Sequence, residues 1–537
     1  SYGRLAFVGA NLADLVQVAA TQRPDVPAIV TTDRTTTWAE LERLVRAVSG
    51  GLTTRRLDRG DRVAIVLGNS LEFVTSYFGI MRAGLVAVPI NNSYTATEIS
   101  AVLTSSGAKL VIADRQTVKA VRDASGGEVP VIEVGTDEWR RLTVGSTPPP
   151  DFETDPESLA VLIYTAGTSG QPKGAMLTHR ALLSNPDQPL RATDPPPMLA
   201  DDVVLIVLPM FHIYALNAAL GLVARCGATA VISDRFDPED SLRMVQDHKV
   251  TNIAGAPPMY IAWSAIPNFA HRMSSVRMLA SGAAPLLPAV YQQFASAGLT
   301  IWEGYGMTEA SPVITSAIVT GVSKAGSVGQ PLPGVETKLV DDSGNEVEEG
   351  DPGEIIVRGP NLFSGYWPDG ADGPDGDGWF GTGDVAIADH EGDLRLVDRR
   401  RDLILVSGFN VYPREIETVI AAAPGVAEVA VVGVTHPYTG EAVKAIVVPK
   451  LDVQLHSEDV LAFAQQHLAR FKAPTIVEVV RALPHSVTGK IQKSGLKERA
   501  IDAESISDIS DQLKQEADAT TVQEQGEVKP ANDSSAS

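Results

Sequence analysis

The chain has 537 residues, room for several domains at about 150 residues each. It is 44% hydrophobic and 20% charged, a balance that excludes a wholly disordered, collagen-like or membrane-embedded protein. Its net charge of −22 disfavours nucleic acid and anionic membrane as partners.

Near the N-terminus, Leu5 to Ala20 is moderately apolar, but Asp14 interrupts it and no clear cleavage site follows, so it does not read as a signal peptide. The densest apolar run, Val203 to Phe211, is far shorter than a membrane-spanning helix. Thr37-Trp38-Ala39-Glu40 predicts a capping box, opening a helix with Leu41, Leu44, Val45 and Val48 on one side. The apolar run Val63 to Leu67, the helical stretch Leu71 to Arg82 and the run Leu85 to Ile90 form a βαβ pattern, the mark of a parallel sheet. Further strands are expected at Lys109 to Ala113, Leu159 to Tyr164, Val203 to Leu208, Ala228 to Ser233 and Arg277 to Ala280. The Pro- and Asp-rich stretch from Asn185 to Pro197 reads as a surface loop.

After about residue 325, short strands such as Gly353 to Arg358 and Asp393 to Val397 alternate with Gly, Asp and Pro turns, which predicts a β-rich subdomain. The charge cluster Asp398 to Asp402 marks a boundary. Beyond it an α+β pattern is expected: a helix led by Pro413, strands Glu428 to Val434 and Val443 to Val448, and a helix Ser457 to Arg470 with Ser457 as N-cap. The stretch 501–537 is acidic, lacks aromatic residues and reads as a disordered tail. The expected division is therefore 1–398, a hinge at 399–402, a small domain at 403–500 and the tail. Cys226 is the only cysteine. It excludes an intramolecular disulfide, fits a reducing cytoplasmic setting and reads as a small buried hydrophobe.

One segment carries a strong chemical signal. A hydrophobic strand runs into Tyr164-Thr165-Ala166-Gly167-Thr168-Ser169-Gly170-Gln171-Pro172-Lys173-Gly174. Glycines let backbone N–H groups approach a phosphate, hydroxyls add donors and the lysine adds charge. It is not a Walker A loop, since glycine follows the lysine. Turn composition alone accounts for many Gly/Ser loops; here the ordered set of residue types points to phosphate.

The segment resembles the phosphate loop of the adenylate-forming superfamily, which includes acyl-CoA and aryl-CoA synthetases, luciferases and peptide-synthetase adenylation domains. The resemblance extends to about residue 500 through further motifs in family order: Leu208-Pro209-Met210-Phe211-His212, Ser281-Gly282-Ala283-Ala284-Pro285, Tyr305-Gly306-Met307-Thr308-Glu309, Thr382-Gly383-Asp384, Asp398-Arg399, and Pro484 to Ile491 with Thr488-Gly489-Lys490. Two positions depart from the usual pattern, Ala166 where serine is common and Arg401 at the hinge.

The resemblance implies a large α/β domain of parallel sheets with a β-rich subdomain, hinged at Arg401 to a small mobile α+β domain. It implies that Thr165, Ala166, Gly167, Thr168, Ser169, Gly170, Lys173, Gly282, Ala283, Ala284, Tyr305, Gly306, Thr308, Asp384, Arg399 and Lys490 bind ATP or AMP. Lys490, His212 and Glu309 are the implied catalytic residues, with His212 bordering the acyl site rather than doing acid–base work. Glu309 and Thr165 are the implied Mg²⁺ ligands, oxygen donors of the kind that hard ion takes. Ser407, Gly408 and Phe409 would line a coenzyme A channel, and Phe211, Tyr214, Trp302 and Val313 an acyl pocket. Taken singly, each has a plainer reading: a core histidine, a solvated loop carboxylate, a turn aspartate, an exposed lysine.

Joining a carboxylate to the α-phosphate of ATP needs no general base. Positioning and preorganised positive charge suffice. The expected reaction is activation of a carboxylic acid, a fatty acid foremost, followed by thioester formation with coenzyme A and release of AMP and pyrophosphate. Transfer to a carrier protein, a luciferase-like oxidation and a non-catalytic nucleotide-binding relative stay open as alternatives. So do a homodimer, the chain length of the acid and peripheral membrane attachment.

Overall fold

The computed structural model describes residues 10–144, 152–166, 172–283, 286, 288–341, 343–399, 404–407, 409–411, 413–436, 439–450, 453–484, 493 and 496. The capping box forms as expected. The Glu40 N–H donates to Thr37 Oγ1 at 3.2 Å, and the Thr37 N–H donates to Glu40 Oε2 at 3.0 Å. The helix Trp38–Thr53 that follows buries Leu41, Val45 and Val48. Val48 packs where Gly79 of the helix Leu71–Arg82 leaves room: a Cβ on Gly79 would lie 2.6 Å from Val48 Cγ1.

Two largely parallel sheets form the α/β body. The six-stranded sheet runs Val131–Glu133, Leu110–Ala113, Arg62–Val66, Val86–Pro89, Leu159–Ala166 and Pro172–Thr178, the last two an antiparallel hairpin. The nine-stranded sheet runs Gln330–Pro331, Val313–Ser316, Ile301–Gly306, Met278–Ser281, Asn252–Gly255, Val203–Ile206, Thr229–Ile232, Pro27–Val30 and Thr35–Thr37. Its central strands are parallel and buried on both faces. Val204 and Ile206 join one core cluster, Leu205 and Ile253 another. Apolar runs rather than alternation are what such strands require.

The expected loop from Asn185 is corrected by the structure. Residues as far as Leu190 belong to the helix His179–Leu190, with Pro186 and Pro189 inside it. A proline at 186 cannot donate to the Leu182 carbonyl one turn back. The buried Asn217 repairs that loss, its Nδ2 donating to Leu182 O at 3.1 Å and to Ser311 O at 2.6 Å. A tertiary bond thus permits a helix that local propensity argues against.

A four-stranded antiparallel sheet follows: Glu336–Val340, Gly353–Arg358, Phe380–Ala388 and Leu394–Arg399. Beyond it, Phe409–Val411, Ile404–Val406, Gly440–Pro449 and Val426–His436 form a further sheet, with Ile476–Val479 against Gly440–Pro449. The helices Pro413–Ala421 and Ser457–His467 complete this unit, whose core includes Ile404, Ile416, Ile420, Val431 and Val460. The N-cap of the second helix is His456, not Ser457, which is its first helical residue. Of the expected hinge, Arg400, Arg401 and Asp402 lie outside the described residues, as does the tail 501–537. Among the described residues no helix is long and apolar enough to cross a membrane.

Candidate active site

A cavity of about 270 Å³ opens where the parallel strands of the nine-stranded sheet end, the place where open α/β sheets hold ligands. Six parts of the chain converge there. The hairpin strand Leu159–Ala166 brings Thr165, the helix His179–Leu190 brings Asn185 and Pro186, and the turn and helix after Val203–Ile206 bring His212 and Tyr214. The ends of Met278–Ser281 and Ile301–Gly306 bring Gly282, Ala283, Tyr305 and Gly306, and the four-stranded sheet adds Asp384.

The mouth is polar. Glu309 sits in the 3₁₀ turn Thr308–Ala310, is buried, and accepts the Tyr366 hydroxyl on Oε1 at 2.5 Å. Asp384, also buried, accepts the Tyr305 hydroxyl on Oδ2 at 2.7 Å. The turn before Glu309 is shaped by Gly306: a Cβ there would lie 2.0 Å from the Pro312 carbonyl oxygen, which accepts the Met307 N–H at 2.9 Å. Gly383 (φ +74°) supplies the left-handed turn that aims Asp384. Ala283 holds φ +72° without being glycine, a strained backbone of the kind that gathers at functional sites.

His212 is partly buried, and burial pushes its imidazole down to about 4. The Tyr214 N–H donates to its Nδ1 at 3.3 Å, so the proton of the neutral ring sits on Nε2. A neutral donor fits a residue that borders a substrate; it does not fit an acid or base cycling near neutral pH. Tyr214 begins a π-helix, Tyr214–Gly221, the rare wide helix that recurs at functional sites. Its hydroxyl reaches the carbonyls of Gly255 and Ala280 at 3.4 and 3.3 Å. Its ring faces Gly282, where a Cβ would come within 3.3 Å of Cζ.

Away from the mouth the lining turns apolar, with Ala218, Ala219, Ala254, Ala280, Trp302 and Val313. Trp302, Val313 and Tyr214, expected of an acyl pocket, all line this cavity. Phe211 does not: it packs against the main core cluster and is absent from the lining. The reason is geometric, since the turn through Pro209 and His212 (His212 N–H to Pro209 O, 3.0 Å) directs neighbouring side chains to different sides.

Of the other expected residues, Thr308 lines the cavity. Lys173 lies beside it, with Nζ 2.7 Å from Asp372 and 5.0 Å above the Tyr366 ring. Its ammonium holds the exposed Asp372 carboxyl below the usual carboxylate range. Arg399 pairs with Asp384 in the strand ladder. For Arg399 and Ala166 the described structure is that of the backbone. Ser407 (φ +51°) and Phe409 do not line the cavity. The Phe409 ring lies 4.5 Å from that of Phe471, and the strand Phe409–Val411 runs beside Leu159–Ala166. Gly167, Thr168, Ser169, Gly170, Ala284, Arg401, Gly408 and Lys490 lie outside the described residues. Tyr366 escaped the sequence reading because its partner Glu309 is 57 positions away, and no local pattern announces such a bond.

A model of the AMP-binding enzyme family matches residues 16–367, and one of the AMP-binding enzyme C-terminal domain matches residues 415–490. The long-chain-fatty-acid–CoA ligase of Escherichia coli O157:H7 is 35% identical over 531 residues, covering 91% of this chain and 94% of its own. The feruloyl-CoA synthase of Amycolatopsis sp is 36% identical over 469 residues, covering 86% and 94%. Among solved structures, a double mutant of o-succinylbenzoate CoA synthetase from Bacillus subtilis, bound with a product analogue, overlays with a TM-score of 0.80 at 28% identity, covering 90% and 98%. ATP-bound MatB from Rhodopseudomonas palustris reaches 0.68 at 33% identity, covering 91% and 99%.

Proposed function

The chain belongs to the AMP-binding enzyme family, and on that premise we propose how its cavity performs the reaction. The enzyme is an acyl-CoA synthetase: it activates a carboxylic acid with ATP and transfers the acyl group to coenzyme A. In our reading the acid lies in the apolar depth and ATP at the polar mouth. Asp384 accepts the ribose hydroxyls, and Thr165 and Lys173, paired across two strands, face the phosphates. The single observation that carries this division is that one cavity joins Thr165, Glu309 and Asp384 to an apolar wall.

The donor set at the mouth fits Mg²⁺, because a buried carboxylate and a hydroxyl are hard oxygen ligands. Glu309 and Thr165 would hold the ion, which would neutralise phosphate charge. The Tyr366 hydroxyl orients the Glu309 carboxylate for that task. His212, neutral, directs its Nε2–H toward the boundary between acid and nucleotide without adding charge. Lys490 supplies positive charge at the α-phosphate during adenylation. The unit after Ile404 then changes its position so that Ser407, Gly408 and Phe409 admit the thiol. A fatty or similarly apolar monocarboxylic acid suits the Ala-rich wall.

The test is ATP–pyrophosphate exchange over carboxylic acids of graded length, with mass detection of the CoA product. Acid-dependent exchange with acyl-CoA and AMP as products is expected. ADP and orthophosphate as stoichiometric products would overturn the reading.

A further inference from the structure

The deep end of the cavity is built by one face of the nine-stranded sheet. Strand register places Val204, Asn252 and Met278 side by side, and the next row outward is Ala254, Ala280 and Trp302. Because side chains alternate along a strand, Ile253, Leu279 and Ile301 turn to the opposite core. The outer row is small except at Trp302, which leaves space; the inner row, closed by Pro197 and Met198, is the floor. From Gly282 at the mouth to Met278 at the floor is four residues, about 13 Å of strand.

One residue of that floor row is polar. Asn252 is 4% exposed, and its Nδ2 donates to the Pro197 carbonyl at 2.9 Å. Arg277 Nη2 donates to the same carbonyl at 3.1 Å. The amide cannot be turned over, since that would set Oδ1 against the Pro197 oxygen, acceptor to acceptor. Oδ1 is therefore left as a buried acceptor, and among the described residues it has no hydrogen-bond partner. A buried acceptor without a donor is costly and calls for an explanation, and this one belongs to a residue that lines the cavity.

Resting on the assignment of this cavity to the acid, we propose that Asn252 is a specificity-determining residue whose Oδ1 accepts a hydrogen bond from a hydroxyl at the far end of the acid. The enzyme then selects acids about as long as the cavity and tipped by a hydroxyl over hydrocarbon acids of the same length. A bound hydrocarbon tail leaves the buried Oδ1 unpaired, whereas a hydroxyl satisfies it. Sites that hydrogen-bond a substrate hydroxyl discriminate strongly against analogues lacking it.

Two matched pairs of acids test this on the full-length enzyme: para-hydroxycinnamate against cinnamate, and ω-hydroxydecanoate against decanoate, each read as kcat/KM for CoA thioester formation. The hydroxylated member should win at least one pair by about tenfold or more. The winning pair tells a phenolic tail from an aliphatic one. In Asn252→Leu that ratio should collapse or invert. Should the variant not fold, the wild-type ratios still decide. Equal kcat/KM within both pairs, or a ratio unchanged in folded Asn252→Leu, overturns the proposal while leaving the acid-site reading intact. Failure of all four acids to support pyrophosphate exchange overturns both.

Discussion

Glu98 and Lys472 form an ion pair at 3.4 Å, with side chains 10% and 5% exposed, between the helix Ala96–Ser106 and the unit that follows Ile404. Glu98 serves two structures at once. Its Oε2 accepts the Thr95 N–H at 2.9 Å, completing a capping box, while Oε1 accepts the Ala469 N–H at 3.2 Å and faces Lys472. The Lys472 ammonium also lies 4.5 Å over the Tyr94 ring. The same docking sets Phe409–Val411 beside Leu159–Ala166. Removing one member of a buried pair leaves the other uncompensated. Lys472→Met is therefore expected to slow thioester formation from preformed acyl-adenylate by about tenfold or more, with little change in pyrophosphate exchange. Lys472→Arg should restore part of the loss. Equal loss in both half-reactions would show that the pair acts only on folding.

Lys490 and Gly408 should divide the half-reactions in opposite ways. Loss of one preorganised charge commonly costs about 10²–10³ in rate, so Lys490→Ala should lose adenylation to that extent yet still convert supplied acyl-adenylate to thioester. Gly408→Leu should keep adenylation and lose thioester synthesis. Rapid-quench assays of each half-reaction, with melting curves to verify folding, measure both.

Tyr366→Phe removes the hydroxyl that Glu309 accepts at 2.5 Å. The Phe363–Tyr366 ring packing, centroids 5.0 Å apart, would persist, so the fold should tolerate the change. We expect the Mg²⁺ concentration for half-maximal activity to rise several-fold, with kcat at saturating Mg²⁺ changing less. A Mg²⁺ titration that matches the wild type would detach Tyr366 from the ion.

Burial pushes both His179 and His212 down to about 4, against an ordinary value of 6.5. Between those values the unfolded chain binds protons that the native chain does not. Their contribution to stability is thus complete above about pH 6.5 and is lost as pH falls toward 4. Melting temperature should decline across that window, and the double variant His179→Gln, His212→Gln should show a shallower decline. An identical slope in the variant would assign the acid sensitivity to other groups.

The α/β class, the capping box at Thr37 and Glu40, and the ordered motifs around Thr165, Glu309 and Asp384 could be read directly from the chain. They rest on local facts: the period of apolar residues, the fit of a side chain to a helix end, the chemistry of a short loop. The helix containing Pro186 could not be read, because the donor that makes it tolerable comes from Asn217, 35 positions from Leu182. Nor could Phe211 be told from a pocket residue, since a turn decides which side a neighbour faces. The sequence by itself determined which chemical groups this enzyme carries and in what order. Tertiary structure alone decided which of them share a cavity. Side-chain direction and long-range register are set by packing, and packing brings Tyr366 to Glu309, Tyr305 to Asp384 and Asn252 to the cavity floor.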